Sequence, residues 1–270
     1  MPLYKGEMNM LRNAANLLTK WNIRNNRKPL IVWGARQVGK TYLVKDIFAE
    51  EYYSNSYIYI DFKIEDEIRD FCDHTANAEK IIEYICLYKG KDITKNTLLI
   101  FDEIQECPNI ISSLKYFCQD FREIPIIATG SMVRIRLQRE LTRNGSTQKF
   151  MFPVGKIEQL TIYPLSFDEF LLNSNEKLFN VTKKAYESRT PLNSSIHELV
   201  LNEFYKYLLI GGMPEAVNTY FEYNSFLESR RVLKDLYDNY LSDMELYQAS
   251  RESCLRSKNL FSNIYGQLRV

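Results

Sequence analysis

Eight residues, Gly34-Ala35-Arg36-Gln37-Val38-Gly39-Lys40-Thr41, constrain this chain more than any others. Their spacing is G-x-x-x-x-G-K-[ST], the phosphate-binding loop pattern. Glycines in such a loop let backbone N–H groups turn inward around an anion-sized hollow. A helix that starts at the loop's end adds the positive end of its dipole, about 0.3–1 kcal/mol per facing charge. The pattern therefore predicts a strand before the loop and a helix after it. Pro29-Leu30-Ile31-Val32-Trp33 is a short apolar run, as a buried parallel strand should be. From Thr41 to Glu50, Leu43, Val44, Ile47 and Phe48 fall on one α-helical face. In the functional reading Lys40 reaches the terminal phosphates as a point charge, and the Thr41 hydroxyl ligates Mg²⁺. Gly34 to Thr41, with Tyr42 beyond, are then the nucleotide-binding candidates. The competing reading is a Gly-rich turn that only joins strand to helix.

A second stretch answers the first. Thr97-Leu98-Leu99-Ile100-Phe101-Asp102-Glu103 runs four apolar residues into two adjacent carboxylates, the Walker B pattern. Asp102, at the strand's end, suits Mg²⁺, usually through its water shell, because that ion dehydrates reluctantly. Glu103 points across the strand axis or into the following loop, where it can accept a proton from the water attacking the γ-phosphate. The bland reading is a strand that ends in solvent-facing acids. Ile124 to Ser131 forms a further buried strand ending in Thr129-Gly130-Ser131. Ligands of such sheets lie beyond the carboxyl ends of the strands, so Thr129 and Ser131 can meet the γ-phosphate or the lytic water. A plain strand-ending turn competes. The segment after it is basic: Arg134, Arg136, Arg139, Arg143 and Lys149 against Glu140 alone. It is compatible with a solvated helix face, with an arginine that completes the site, or with a nucleic-acid contact.

The whole chain has 270 residues and is 45% hydrophobic, enough for one large domain or two small ones. Its net charge of +1 gives no global pull toward nucleic acid or anionic membrane. Five scattered cysteines, no C-x-x-C and two distant histidines argue for reduced thiols in a cytoplasmic protein rather than a zinc site or a disulfide framework. Met1 to Lys20 has no apolar core of signal-peptide length, and no run approaches a membrane span.

The other elements follow from pattern. Residues 7–21 read as an amphipathic helix, 57–62 as a strand, and 78–89 as a helix stopped by Gly90. The acidic residues 65–70 read as a solvated loop or helix face. Pro108 begins a helix whose Ile110, Ile111, Leu114, Phe117, Cys118 and Phe121 share a face, and Ile157 to Tyr163 reads as a last strand. Residues 173–195 turn polar and read as a surface loop or linker. Beyond them the pattern is helical, with Ile196, Leu199, Val200, Phe204, Tyr207 and Leu208 on one face, and Gly211-Gly212 as a break before Pro214. Leu233, Leu236, Tyr237, Tyr240, Leu241 and Met244 mark a longer helix, and Leu260, Phe261, Ile264 and Leu268 another. The expected layout is a P-loop domain over 1–173, a linker over 174–194 and a helical part over 195–270.

Five motifs in order, GARQVGKT (34–41), LLIFDEIQ (98–105), TGS (129–131), YPLSFDEF (163–170) and GGMPEAV (211–217), resemble prokaryotic AAA-family ATPases. The resemblance spans roughly residues 10–250. It implies an α/β fold: a central parallel sheet sandwiched by helices, then an all-α C-terminal segment. The P-loop strand should lie in the middle of the sheet, beside the strand that ends at Thr129. It also implies ATP as the nucleotide, Lys40 and Thr41 on phosphate and Mg²⁺, Asp102 on Mg²⁺ and Glu103 as catalytic base. Lys40 and Ser131 join Glu103 as catalytic candidates. The chain departs in having Gly155-Lys156 where relatives often have Gly-Arg, which leaves the finger arginine unassigned. Relatives are also usually longer, so this chain reads as truncated where a winged-helix-like part should begin.

Three functions fit. The first is an Mg²⁺-dependent ATPase using hydrolysis as a conformational switch. The second is a nucleotide-gated module with negligible turnover and a DNA or protein partner. The third is a small-molecule P-loop kinase, against which the apolar run into Asp102-Glu103 stands.

Overall fold

A sheet of five parallel strands organises the first of two compact units in the computed structural model, which describes residues 10–131, 153–247 and 251–267. The first unit runs to Leu192 and the second begins at Asn193. In chain order the first unit contains α1 (Asn13–Asn22), β1 (Leu30–Gly34), a wide helix Tyr42–Ala49 continued by one α-helical turn Glu50–Tyr52 (together α2), β2 (Tyr57–Asp61), α3 (Asp66–Asp73), α4 (Ala78–Lys89) and β3 (Leu98–Asp102). A 3₁₀ turn at Ile104–Glu106 leads to α5 (Pro108–Asp120), and β4 (Ile126–Gly130), β5 (Glu158–Ile162), α6 (Phe167–Ser174) and α7 (Glu176–Ser188) complete it.

The strand order is β2-β3-β4-β1-β5. β1 is therefore interior, one place from the edge rather than central, and it lies beside β4 as expected, with Val32 opposite Thr129. β3 pairs with β2 so that Asp61 faces Asp102. β1, β3 and β4 read as apolar runs because both faces are covered. Ile31, Ile58, Ile60, Leu99 and Phe101 share one core with Ile68 and Cys72 of α3, Ile81 and Ile85 of α4, and Ile110, Leu114 and Phe117 of α5. α2 lies against β3 and α1, where the Trp21 and Phe48 rings meet at 6.4 Å. Each large side chain buried here contributes about 1.5–3 kcal/mol, so the ends of β1, β3 and β4 sit on a rigid frame.

Local signals explain most boundaries. α4 begins where the Asn77 side chain caps the Lys80 amide and ends at Gly90, whose φ of 62° closes the helix. α6 starts with a capping box between Ser166 and Glu169. The acidic stretch folds as α3, with Arg69 paired to Asp66 at 2.7 Å and Glu65, just before it, paired to Lys89 at 2.5 Å.

Two expectations about the helices of this unit are corrected. α2 was expected to wind as an α-helix with Ile47 inward. It winds as a π-helix, and the fully covered residues are Leu43, Val44, Phe48 and Ala49, five apart rather than three or four. The polar stretch 173–195 is not a plain loop. Asn175 caps the Leu178 amide, Leu178 is buried, and α7 packs on α6. The polar residues are the solvent face of that helix.

The second unit holds α8 (Ser194–Ile210), α9 (Pro214–Tyr223), α10 (Phe226–Tyr247) and α11 (Arg251–Gln267). Gly211, at φ 75°, ends α8, and Pro214 occupies the first turn of α9. Ala216, Val217, Tyr220 and Leu236 are buried, and the Ser229 hydroxyl donates to the Ala216 carbonyl at 3.0 Å, joining α9 to α10. Tyr237 stacks on Phe261 at 5.3 Å between α10 and α11. The apolar face expected on α8 is not a core face, because Leu199, Phe204 and Leu208 are exposed and only Ile210 is buried. Among the described residues no helix is long and apolar enough to cross a membrane.

Candidate nucleotide site

The loop between β1 and α2 takes the shape its glycines allow. A Cβ on Gly34 would lie 2.6 Å from the Ile162 carbonyl oxygen of β5 and 2.9 Å from Val38 Cγ2, so no larger residue fits there. Gln37 and Gly39 have positive φ, 63° and 86°. Left-handed residues in a turn bring successive amides onto one concavity, the anion-binding nest. Ala35 and Gln37 are exposed, Arg36, Gly39 and Tyr42 are half-buried, and Val38 is fully covered beneath the loop.

Lys40 folds back into this hollow. Its Nζ donates to the carbonyls of Gly34 at 3.2 Å and Ala35 at 2.9 Å, and the residue is only 7% exposed. Burial pushes its pKa below that of a free lysine; Glu103 and Asp102 oppose this, and Arg36 adds to it. Among the described residues its Nζ bonds carbonyls and no carboxylate, an arrangement that can accept an anionic ligand.

Asp102 is the centre of a second cluster. Its Oδ2 accepts from the Thr41 hydroxyl and from the Tyr59 hydroxyl, each at 2.7 Å. Its Oδ1 accepts from the Glu103 amide at 2.9 Å and from the Thr129 hydroxyl. Asp102 is 3% exposed and Thr129 fully buried. Three hydroxyls and an amide thus hold the carboxylate, and all are neutral. Tyr59 is held in its protonated form, first by burial and then by its bond to Asp102. Its ring also carries Lys45 Nζ at 4.7 Å.

Glu103 follows in the left-handed region, φ 52° and ψ 44°, an uncommon conformation for a residue with a side chain. It accepts from Gln105 Nε2, and Gln105 Oε1 accepts from the Ser131 amide at 3.2 Å. The fold therefore brings Lys40, Thr41, Asp102, Glu103, Thr129 and Ser131 to one end of the sheet. The basic segment from Arg134 to Lys149, with any finger arginine it holds, lies outside the described residues. Thr41 and Asp102 offer two hard oxygen donors 2.7 Å apart, a set that suits Mg²⁺.

Three contributors were not legible beforehand. Gln105 lay inside the LLIFDEIQ string without a role. Tyr59 reaches Asp102 only because β2 pairs with β3. Arg12, from the turn before α1, donates to the Val38 carbonyl at 3.0 Å, to the Tyr163 carbonyl at 2.6 Å and to Glu169 at 3.2 Å, bracing the loop from behind.

This loop-and-carboxylate arrangement on a parallel sheet has a match in sequence space. A family model described as an AAA domain matches residues 26–171. The chain belongs to that AAA domain family. Of solved structures, the Walker-type ATPase PABY2304 of Pyrococcus abyssi shares the fold of this AAA chain with a TM-score of 0.51 at 16% identity, over 87% of this chain and 75% of that one. AMPPCP-bound DnaA from Aquifex aeolicus is a looser likeness, TM-score 0.44 at 14% identity, over 94% of this chain and 77% of the other. No curated protein matches the chain.

Proposed function

We propose that this AAA-family chain binds and hydrolyses ATP with Mg²⁺ and uses the cycle as a conformational switch. The observation that carries the reading is the meeting of two clusters: Lys40 buried in the loop's hollow, and Asp102 joined to Thr41 with Glu103 beside it. Phosphoryl transfer to water asks little covalent chemistry of a protein; positioning and charge do the work. Lys40 and the loop amides bind the β- and γ-phosphates. Thr41 and Asp102 would hold Mg²⁺, which when bound supplies positive charge against the phosphate oxygens. Glu103 orients the attacking water and takes its proton. Thr129 and Ser131 border the place where the γ-phosphate ends. A finger arginine would come from the basic segment or from a neighbouring chain.

Phosphate release from ATP, with and without DNA, measured beside phosphoryl transfer to candidate acceptors, tests this. The ATPase reading expects Mg²⁺-dependent release into water. ATP bound without release points to the nucleotide-gated module, and phosphate on an acceptor points to a kinase.

A further inference from the structure

Gln105 is a buried amide, 5% exposed, whose side-chain hydrogen bonds run to Glu103 and to the Ser131 backbone. It spans the ends of two neighbouring strands, from the turn after β3 to Ser131 just after β4. Its orientation follows from chemistry. A backbone N–H can only donate, so Oε1 must face Ser131; an ionised carboxylate can only accept, so Nε2 must face Glu103. Reversing the amide would set donor against donor and oxygen against oxygen. The bridge therefore works in one sense only.

Glu103 needs such a bridge. A left-handed backbone costs a residue with a side chain about 1 kcal/mol or more, and it persists only where the surroundings hold it. Two bonds converge on it from the following turn: the Glu106 amide on its carbonyl at 2.9 Å, and the Gln105 amide on its side chain. The second also leads away from the turn, to the backbone of Ser131.

We propose that Gln105 is a positioning residue that fastens the Glu103 carboxylate to the Ser131 backbone, so that the turn bordering the γ-phosphate sets where the water-activating group sits. The proposal rests on the ATPase reading given above. A shift of Ser131 on arrival of the γ-phosphate is passed to Glu103 through one side chain. Without the bridge, ATP binds as before and the carboxylate is misplaced.

Gln105→Glu separates this from a purely structural role. It keeps the shape and an acceptor for the Ser131 amide, yet sets carboxylate against carboxylate at Glu103. The expected result is a kcat about tenfold to a hundredfold lower, the loss of one hydrogen bond to a charged group. ATP affinity by titration calorimetry should stay within about threefold. In a Glu103→Gln background, followed in single turnover, the same substitution should cost nothing further, because both act through one group. Wild-type kcat in Gln105→Glu while Glu103→Gln stalls overturns the proposal alone. So does a full second loss in the Glu103→Gln background. Should Gln105→Glu lose its cooperative melt, Gln105→Met, which keeps the volume and neither bond, is judged by the same outcomes. Absence of turnover in the native chain, or undiminished turnover in Glu103→Gln, overturns the ATPase reading itself and the proposal with it.

Discussion

Two buried carboxylates flank the phosphate loop, and they are held in opposite ways. Glu169 is neutralised: Arg12 Nε lies 3.2 Å from it, and the Asn13 and Ser166 amides bond its two oxygens. The remaining Arg12 donors end on the carbonyls of Val38 and Tyr163. That cluster is closed on itself and ties the chain before α1, the loop and the start of α6 together. Asp102 is gripped as firmly, but by the hydroxyls of Thr41, Tyr59 and Thr129 and the Glu103 amide. Neutral donors fix a carboxylate's place and leave its charge to act. The difference separates charge balanced within the protein, which braces the loop, from charge held by neutral dipoles alone, which the proposed function assigns to a ligand.

The contrast can be broken by substitution. The largest expected effect is on the closed side. Arg12→Ala leaves Glu169 buried without its cation, which should cost about 3–5 kcal/mol of folding stability in denaturant unfolding. A loss under about 1 kcal/mol would mean that the pair does not brace the loop. Next comes Lys40→Ala, which on the proposed reading removes charge-assisted contacts to phosphate. ATP affinity should fall by about tenfold to a hundredfold or more in titration calorimetry, and an unchanged affinity would remove the phosphate-loop assignment. Asp102→Asn keeps the shape and removes the charge, so activity should need several-fold more Mg²⁺, on the order of a lost charge–metal contact; an unchanged metal titration would contradict the role given to Asp102. The smallest effect belongs to Tyr59→Phe. One of four bonds on Asp102 is lost while the ring and its contact with Lys45 remain, so stability should fall by about 1 kcal/mol. A loss of turnover beyond about tenfold would move Tyr59 into the chemistry and blur the contrast.

How much of this was readable follows the range of the contacts. The loop, its strand and the Asp102-Glu103 pair are local patterns, and they stand at one end of one sheet. The stop at Gly90 was local too. Tyr59, Arg12 and the bridge through Gln105 were not, because each depends on which strands are neighbours or on a contact across much of the chain. The π-winding of α2 does not follow the 3.6-residue period of an α-helix, although Leu43, Val44, Phe48 and Ala49 carry the wider spacing. Composition misled at residues 173–195, where polar residues were the outer face of a capped helix. Periodicity misled on α8, whose apolar residues recur at helical spacing without being buried.

The central claim is that Glu103 activates water at a site assembled by Lys40, Thr41 and Asp102. Glu103→Gln tests it most directly, with ATP binding and phosphate release measured on the same preparation. The account predicts that ATP binds with near-native affinity while release slows by about 10²–10⁴-fold. Release at the native rate with ATP bound would contradict it.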